Sequence, residues 1–99
     1  SHLPHVVAYA LVHSVSTLPS PVPLGYSAGG FRDFTRIASS NPEMWKDIVL
    51  QNRVEVLRAM GHFRRNLRML ETLVARGDVP GLLAYFRRAK KTRDRLRSP

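Results

Sequence analysis

The chain has 99 residues, no cysteine and a formal net charge of +9. A chain of this length forms at most one domain with a modest core, and the lack of thiols excludes disulfides and thiolate metal sites. Its positive charge favours anionic partners, namely nucleic acid, acidic metabolites or an acidic neighbouring domain. Because no apolar run reaches the roughly 20 residues of a membrane span and no signal peptide is recognisable, we expect a cytoplasmic protein without membrane contact.

The first predicted element is a helix over residues 1–16, whose first turn can accommodate Pro4. Its apolar positions surround most of its circumference, as is typical of a helix that is buried on most sides. His5 follows Ser1 by one turn and is either a partly buried side chain or a hydrogen-bond donor to an anion, and the spacing alone favours the first role. His2 and His5 lack a third ligand at a suitable spacing, so no metal site is expected.

Residues 17–28 form a predicted linker, because three prolines at alternate positions exclude both a helix and a central strand. A short helix to about Ser39 follows, and Gly29-Gly30 permits an unusual backbone at its start. Helical spacing places Arg32 and Arg36 one turn apart, and this geometry suits a carboxylate or a phosphate. Two arginines at this spacing are nevertheless more often part of a solvated surface.

A long helix is predicted from Pro42 to about Arg76, with Ser40 as its cap and Glu43 completing a capping box. Trp45 lies within a turn of that cap, where a tryptophan more often packs in a core than contacts a ligand. One small domain cannot cover so long an apolar stripe, so the pattern predicts a homodimer with intertwined helices. Gly61 is the position where a kink or a close helix crossing is expected.

Gly77 is predicted to end the long helix, and Asp78 to cap a last helix over residues 79–95 with Pro80 in its first turn. No strand pattern is present, so the predicted fold class is all-α, with one long central helix intertwined with a second copy. Residues 87–97 hold seven of the sixteen lysines and arginines. This basic segment supports an alternative function as a nucleic-acid-binding or adaptor module.

Three ordered motifs closely resemble the C-terminal domain of prephenate dehydrogenases, which are also called cyclohexadienyl or arogenate dehydrogenases. The motifs are Ser1-His2-Leu3-Pro4-His5, Gly29-Gly30-Phe31-Arg32-Asp33-Phe34-Thr35-Arg36-Ile37-Ala38 and Pro42-x-Met44-Trp45-x-Asp47-Ile48. The resemblance implies that residues 1–99 are a substrate-binding and dimerisation domain. It also implies NAD(P)-dependent oxidative decarboxylation of prephenate or arogenate in tyrosine biosynthesis.

This family joins the helical domain to an N-terminal Rossmann domain that binds NAD or NADP. This chain contains no Gly-x-Gly-x-x-Gly loop and no βαβ pattern, so we expect a fragment without its cofactor domain. Catalytic residues are therefore not expected in this chain, and the fragment alone is predicted to be inactive. A homodimer is expected, nucleic acid is not expected as a partner, and tyrosine is a candidate feedback inhibitor.

The resemblance also implies roles for single residues. Arg36 matches the arginine that grips a prephenate carboxylate, His5 matches a histidine near the substrate side chain or bound tyrosine, and Trp45 matches the tryptophan that closes over the pocket. A dianion with a compact ring requires cations, a donor and an aromatic wall, which agrees with these residue types. The remaining expected site residues are Arg32 and Ser1 as substrate contacts, and Asp33 and Gly30 at the pocket mouth.

Overall fold

The computed structural model describes residues 2–18 and 28–96, and within these ranges it contains five α-helices and no strand. The predicted all-α class is therefore confirmed. The chain divides into two compact units, Ser1–Met60 (unit 1) and Gly61–Pro99 (unit 2). None of the helices in the described ranges has both the length and the hydropathy that crossing a membrane requires.

Unit 1 begins with α1 (His2–Ser16), followed by α2 (Ala28–Thr35) and a 3-10 turn (Arg36–Ser39). The helix α3 (Pro42–Gln51) comes next, and α4 (Arg53–Arg76) begins in this unit and ends in unit 2. The helix predicted over residues 1–16 is confirmed over the described residues, His2–Ser16. Most of the predicted linker, with its three prolines, lies outside the described residues.

The core of unit 1 is small. Ala8 of α1 is completely buried and Val56 of α4 is 3% exposed, while α1 packs against α2 and the 3-10 turn. The prediction that α1 is buried on most sides is wrong within a single chain, because Pro4, Ala10 and Val12 are exposed. A side chain that is apolar and exposed in one copy is available to pack against another surface.

The helix α2 differs from its prediction at both ends. Gly29 and Gly30 have ordinary helical backbone, since Gly77 is the residue with positive φ in the described ranges, so the expected unusual backbone is absent there. At the other end the α-helix stops at Thr35, whose buried hydroxyl donates to the Phe31 carbonyl at 2.6 Å. Arg36 therefore begins the tighter 3-10 turn instead of continuing the α-helix.

The cap of α3 is Asn41, and the predicted capping role of Ser40 is wrong. The Asn41 side-chain oxygen accepts the backbone N–H groups of Glu43 at 2.9 Å and Met44 at 3.1 Å. The Ser40 hydroxyl donates backwards to the Ile37 carbonyl at 2.6 Å, so it closes the preceding turn. Pro42 lies in the first turn of α3, as predicted.

The predicted long helix is interrupted at one residue, Asn52, between α3 and α4. Its backbone leaves helical values (φ −118°, ψ 31°), and its side-chain amide donates to the Ile48 carbonyl at 2.8 Å. Asparagine competes in this way with the regular helical ladder. Gly61, where the sequence predicted a kink or crossing, lies inside α4.

Unit 2 contains the C-terminal part of α4 and the helix α5 (Val79–Arg95), whose predicted bounds are confirmed. Gly77 adopts φ 61°, and the Asp78 N–H donates to the Leu73 carbonyl at 3.1 Å, which is the Schellman pattern of helix ends. The Asp78 carboxylate then accepts the Gly81 N–H at 2.9 Å and caps α5. The predicted turn residues are therefore all confirmed.

Candidate functional site

Two histidines of α1 and the indole of α3 form one aromatic cluster in unit 1. The His5 ring stacks on Trp45 with ring centroids 3.7 Å apart and an interplanar angle of 16°. His2 approaches the same indole edge-on, with centroids 6.1 Å apart and an angle of 78°. His2 and His5 are three residues apart in the first turns of α1, so both rings project from one side of the helix.

The position of Trp45 follows from the capped start of α3. Its backbone N–H donates to the Asn41 carbonyl at 3.1 Å, which closes the first turn of the helix. The Asn41 side chain accepts the N–H groups of Glu43 and Met44, the two residues before Trp45. These hydrogen bonds to the cap residue fix the backbone that carries the indole. The His5–Trp45 stack thus joins the beginning of α1 to the beginning of α3.

Tyr9 makes a second contact between the same segments. Its hydroxyl donates to the Ser40 carbonyl at 2.8 Å in a part-buried bond between residues 31 positions apart. Tyr9 was not among the site residues predicted from the sequence. The one available signal was its position four residues after His5, which places both side chains on the same face of α1.

A cleft of ≈ 300 Å³ lies between α1 and α3 in unit 1. Its walls are mainly apolar and include the rings of Tyr9 and Trp45, while Lys46 supplies an exposed cation. The complete lining is Val6, Tyr9, Pro42, Trp45, Lys46 and Val49. Flat aromatic walls with a neighbouring positive charge suit a small ring that carries a carboxylate.

The two arginines at the predicted anion site are exposed. Within residues 2–18 and 28–96 the ion pairs are Lys46–Asp47, Arg58–Glu55 and Lys90–Asp94. Neither Arg32 nor Arg36 takes part in them, so each guanidinium keeps its donors available for an external anion. The two residues belong to different helical segments, since Arg32 lies in α2 and Arg36 opens the 3-10 turn.

The structure therefore brings His5 and Trp45 together, while no hydrogen bond or ion pair of the described residues joins Arg36 to them. Asp33 and Gly30 are exposed on α2. Ser1 lies outside the described residues. No group of three His, Cys, Asp or Glu side chains in the described part of the chain is arranged to hold a metal ion.

Comparison with known proteins places these elements in a family. Residues 1–88 match the family described as "Prephenate dehydrogenase, dimerization domain". A prephenate dehydrogenase from Bacillus subtilis is 44% identical over 98 residues, which are 97% of this chain and 26% of that protein. A cyclohexadienyl dehydrogenase from Zymomonas mobilis is 44% identical over 102 residues, covering 99% of this chain and 34% of that protein.

Solved structures give the same result for the fold. A crystal structure of prephenate dehydrogenase from A. aeolicus, in complex with hydroxyphenyl propionate and NAD+, superposes with a TM-score of 0.86 at 41% identity and covers 97% of this chain. An arogenate dehydrogenase from Synechocystis gives a TM-score of 0.86 at 27% identity. This chain spans 34% and 36% of those two chains. With both sequence and fold in agreement, the chain belongs to the dimerization-domain family of prephenate dehydrogenases.

Proposed function

We propose that this chain is the C-terminal substrate-binding and dimerisation domain of an NAD(P)-dependent prephenate or arogenate dehydrogenase in tyrosine biosynthesis. The observation that carries the proposal is the family match over residues 1–88, which contains both segments of the His5–Trp45 stack. The relatives named above are prephenate, cyclohexadienyl and arogenate dehydrogenases. Their greater length leaves room for a separate nucleotide-binding domain.

The proposed substrate is a compact ring that carries carboxylates. Arg36 holds one carboxylate through two parallel N–H donors, and Arg32 adds a second cation at the entrance. Trp45 forms an aromatic wall, and the stacked His5 ring supplies a nitrogen donor toward the substrate side chain. Asp33 and Gly30 border the pocket mouth, and Ser1 is a further substrate contact.

The residues of this chain act by binding and orientation. In the full-length enzyme a bound nicotinamide would supply the hydride acceptor. The substrate would lose a hydride and the hydroxyl proton at its hydroxyl-bearing ring carbon, and the ring carboxylate as CO2. The electron pair of the broken carbon–carbon bond would then leave an aromatic ring with a phenolate oxygen. Arg36 keeps the dianion in one position while charge shifts through the ring, which is where a fixed cation lowers the barrier.

The proposed assembly is a homodimer. On α4, Val54 is 66% and Leu57 is 61% exposed in unit 1, and Leu67 is 53% and Val74 is 61% exposed in unit 2. A helix that leaves such side chains in water within one copy gains free energy when another copy covers them. We further propose tyrosine as a feedback inhibitor, because it presents a ring and a carboxylate to the same residues.

The test uses the full-length protein, with prephenate or arogenate and with NAD or NADP, and follows reduced nicotinamide. Arg36→Ala is expected to raise KM for the preferred substrate by about 10- to 100-fold, since a hydrogen bond to a charged group contributes about 1.5–3 kcal/mol. Arg36→Lys keeps the charge and is expected to recover only part of the loss. Arg87→Ala, which removes an exposed arginine of α5, is the matched control.

Two results would contradict the proposal at different levels. No reduction with either substrate and either nucleotide would reject the enzyme activity. Normal reduction with an unchanged KM in Arg36→Ala would reject the role of Arg36 while leaving the activity in place.

A further inference from the structure

We infer that Tyr9 is a positioning residue for the substrate site: its hydroxyl bond to the Ser40 carbonyl holds α1 in the register that stacks His5 on Trp45. The inference deepens the function proposed above and rests on it for its kinetic consequence. Its structural part, the dependence of the stack on the Tyr9 hydroxyl, stands on the contacts alone.

The Tyr9–Ser40 and His5–Trp45 contacts lie a similar number of residues apart on each of the two segments that they join. Tyr9 follows His5 by four residues, which is one helical turn or about 6 Å along α1. Ser40 precedes Trp45 by five residues and lies just before the cap of α3. One polar contact (Tyr9–Ser40) and one ring contact (His5–Trp45) therefore connect the same two segments at two points. Two contacts restrict sliding and rotation of α1, which a single ring stack does not.

The acceptor of the Tyr9 bond is itself fixed. The Ser40 N–H and hydroxyl both donate to the Ile37 carbonyl, at 3.1 Å and 2.6 Å. The next residue, Asn41, is held by its two cap bonds to the first turn of α3. The position of the Ser40 carbonyl is therefore fixed, and the bond that it accepts from the Tyr9 hydroxyl can fix the position of α1.

The Tyr9 ring has a separate, apolar role. It lines the ≈ 300 Å³ cleft together with Trp45. A phenylalanine at this position would keep the ring and the cleft wall but remove the hydroxyl. Tyr9→Phe therefore isolates the positioning bond from packing.

A looser stack should weaken substrate binding more than the chemical step, because His5 and Trp45 contact the substrate away from the transferred hydride. Loss of the hydroxyl bond is expected to raise KM for the substrate by about two- to tenfold, the range of one net hydrogen bond. The value of kcat should stay within about twofold, since that bond is made equally before and during the reaction.

The experiment compares the full-length protein with Tyr9→Phe and with Tyr85→Phe. Tyr85 lies on α5 in unit 2 and packs edge-on against Phe86, so this control removes a phenol hydroxyl elsewhere. Besides KM and kcat, the near-ultraviolet circular dichroism of Trp45 is measured as the difference from Trp45→Phe. We expect Tyr9→Phe to reduce this indole signal and Tyr85→Phe to preserve it.

A double variant separates positioning from an independent contribution. In a His5→Gln background the stack is already lost, so adding Tyr9→Phe should leave KM unchanged. An additive rise in KM, or an unchanged indole signal in Tyr9→Phe, would overturn the inference. If the full-length protein reduces neither nucleotide, the proposed function fails, and the indole signal alone then decides the role of Tyr9.

Discussion

At the scale of single residues, Ser40 and Asn41 are neighbours with different roles. Asn41→Ala removes the acceptor for two backbone N–H groups at the start of α3 and should lower the free energy of unfolding by about 1 kcal/mol. Ser40→Ala removes a hydroxyl that bonds only within the preceding turn and should cost less. Urea denaturation of the two variants measures both values, and equal losses would contradict the assignment of the cap to Asn41.

How much of the site is readable from sequence differs from residue to residue. His5 and Trp45 were predicted from family motifs, and the structure brings them into contact. Tyr9 was missed because a bond from a phenol to a backbone carbonyl 31 residues away leaves no local pattern. The Ser40 cap was wrong because serine and asparagine are about equally good caps, so the sequence alone does not decide between neighbours. The roles of Arg36, His5 and Trp45 at the substrate stay predictions.

At the scale of the helical elements, two glycines of unit 2 should respond oppositely to the same substitution. Gly77→Ala places a β-carbon on a residue with φ 61° and should destabilise the α4–α5 turn by about 1–2 kcal/mol. Gly61→Ala lies inside α4, where its β-carbon would meet the Arg65 guanidinium at an ordinary 3.5 Å. Better helix propensity should then stabilise the protein by up to about 1 kcal/mol.

Thermal unfolding of the two glycine variants checks both signs. A stabilised Gly77→Ala would mean that the turn can adopt another backbone conformation. A destabilised Gly61→Ala would mean that another surface, such as a second copy, approaches this glycine closely.

Helix ends were predictable where the sequence contains residues that strongly favour a turn or a cap. The end of α4 is favoured by Gly77, the cap of α5 by Asp78 and its first turn by Pro80. The helix α5 begins where these residues predict. The interruption at Asn52 was not predictable, because the apolar period continues across it. The Asn52 N–H still donates to the Ile48 carbonyl, which also accepts the Asn52 side-chain amide. The end of α2 at Thr35 carries a similar side-chain bond, from the hydroxyl to the carbonyl four residues back.

At the scale of the whole molecule, few apolar side chains are buried within one copy and many are exposed on its helices. Ala8 and Val56 are the buried apolar side chains of the described residues, which is little core for a chain of 99 residues. Apolar side chains of α4 meanwhile remain in water, Leu57 with 61% of its surface. Burying a fully exposed side chain of this kind contributes about 1.5–3 kcal/mol, so covering the exposed part of one contributes about 1–2 kcal/mol, and twofold symmetry makes every contact occur twice.

The homodimer can therefore be tested through Leu57. Leu57→Glu places a carboxylate on the exposed apolar face of α4, and burying an unpaired charge between two copies would cost more than the dimer gains there. The full-length variant should sediment as a monomer at concentrations where the parent protein is a dimer. It should also lose the rise of Tm with protein concentration that a dimer shows. His62→Glu adds the same carboxylate on the side of α4 that carries Glu55 and Asn66, and it should remain dimeric. A Leu57→Glu protein that sediments like the parent would place the dimer contact on another face.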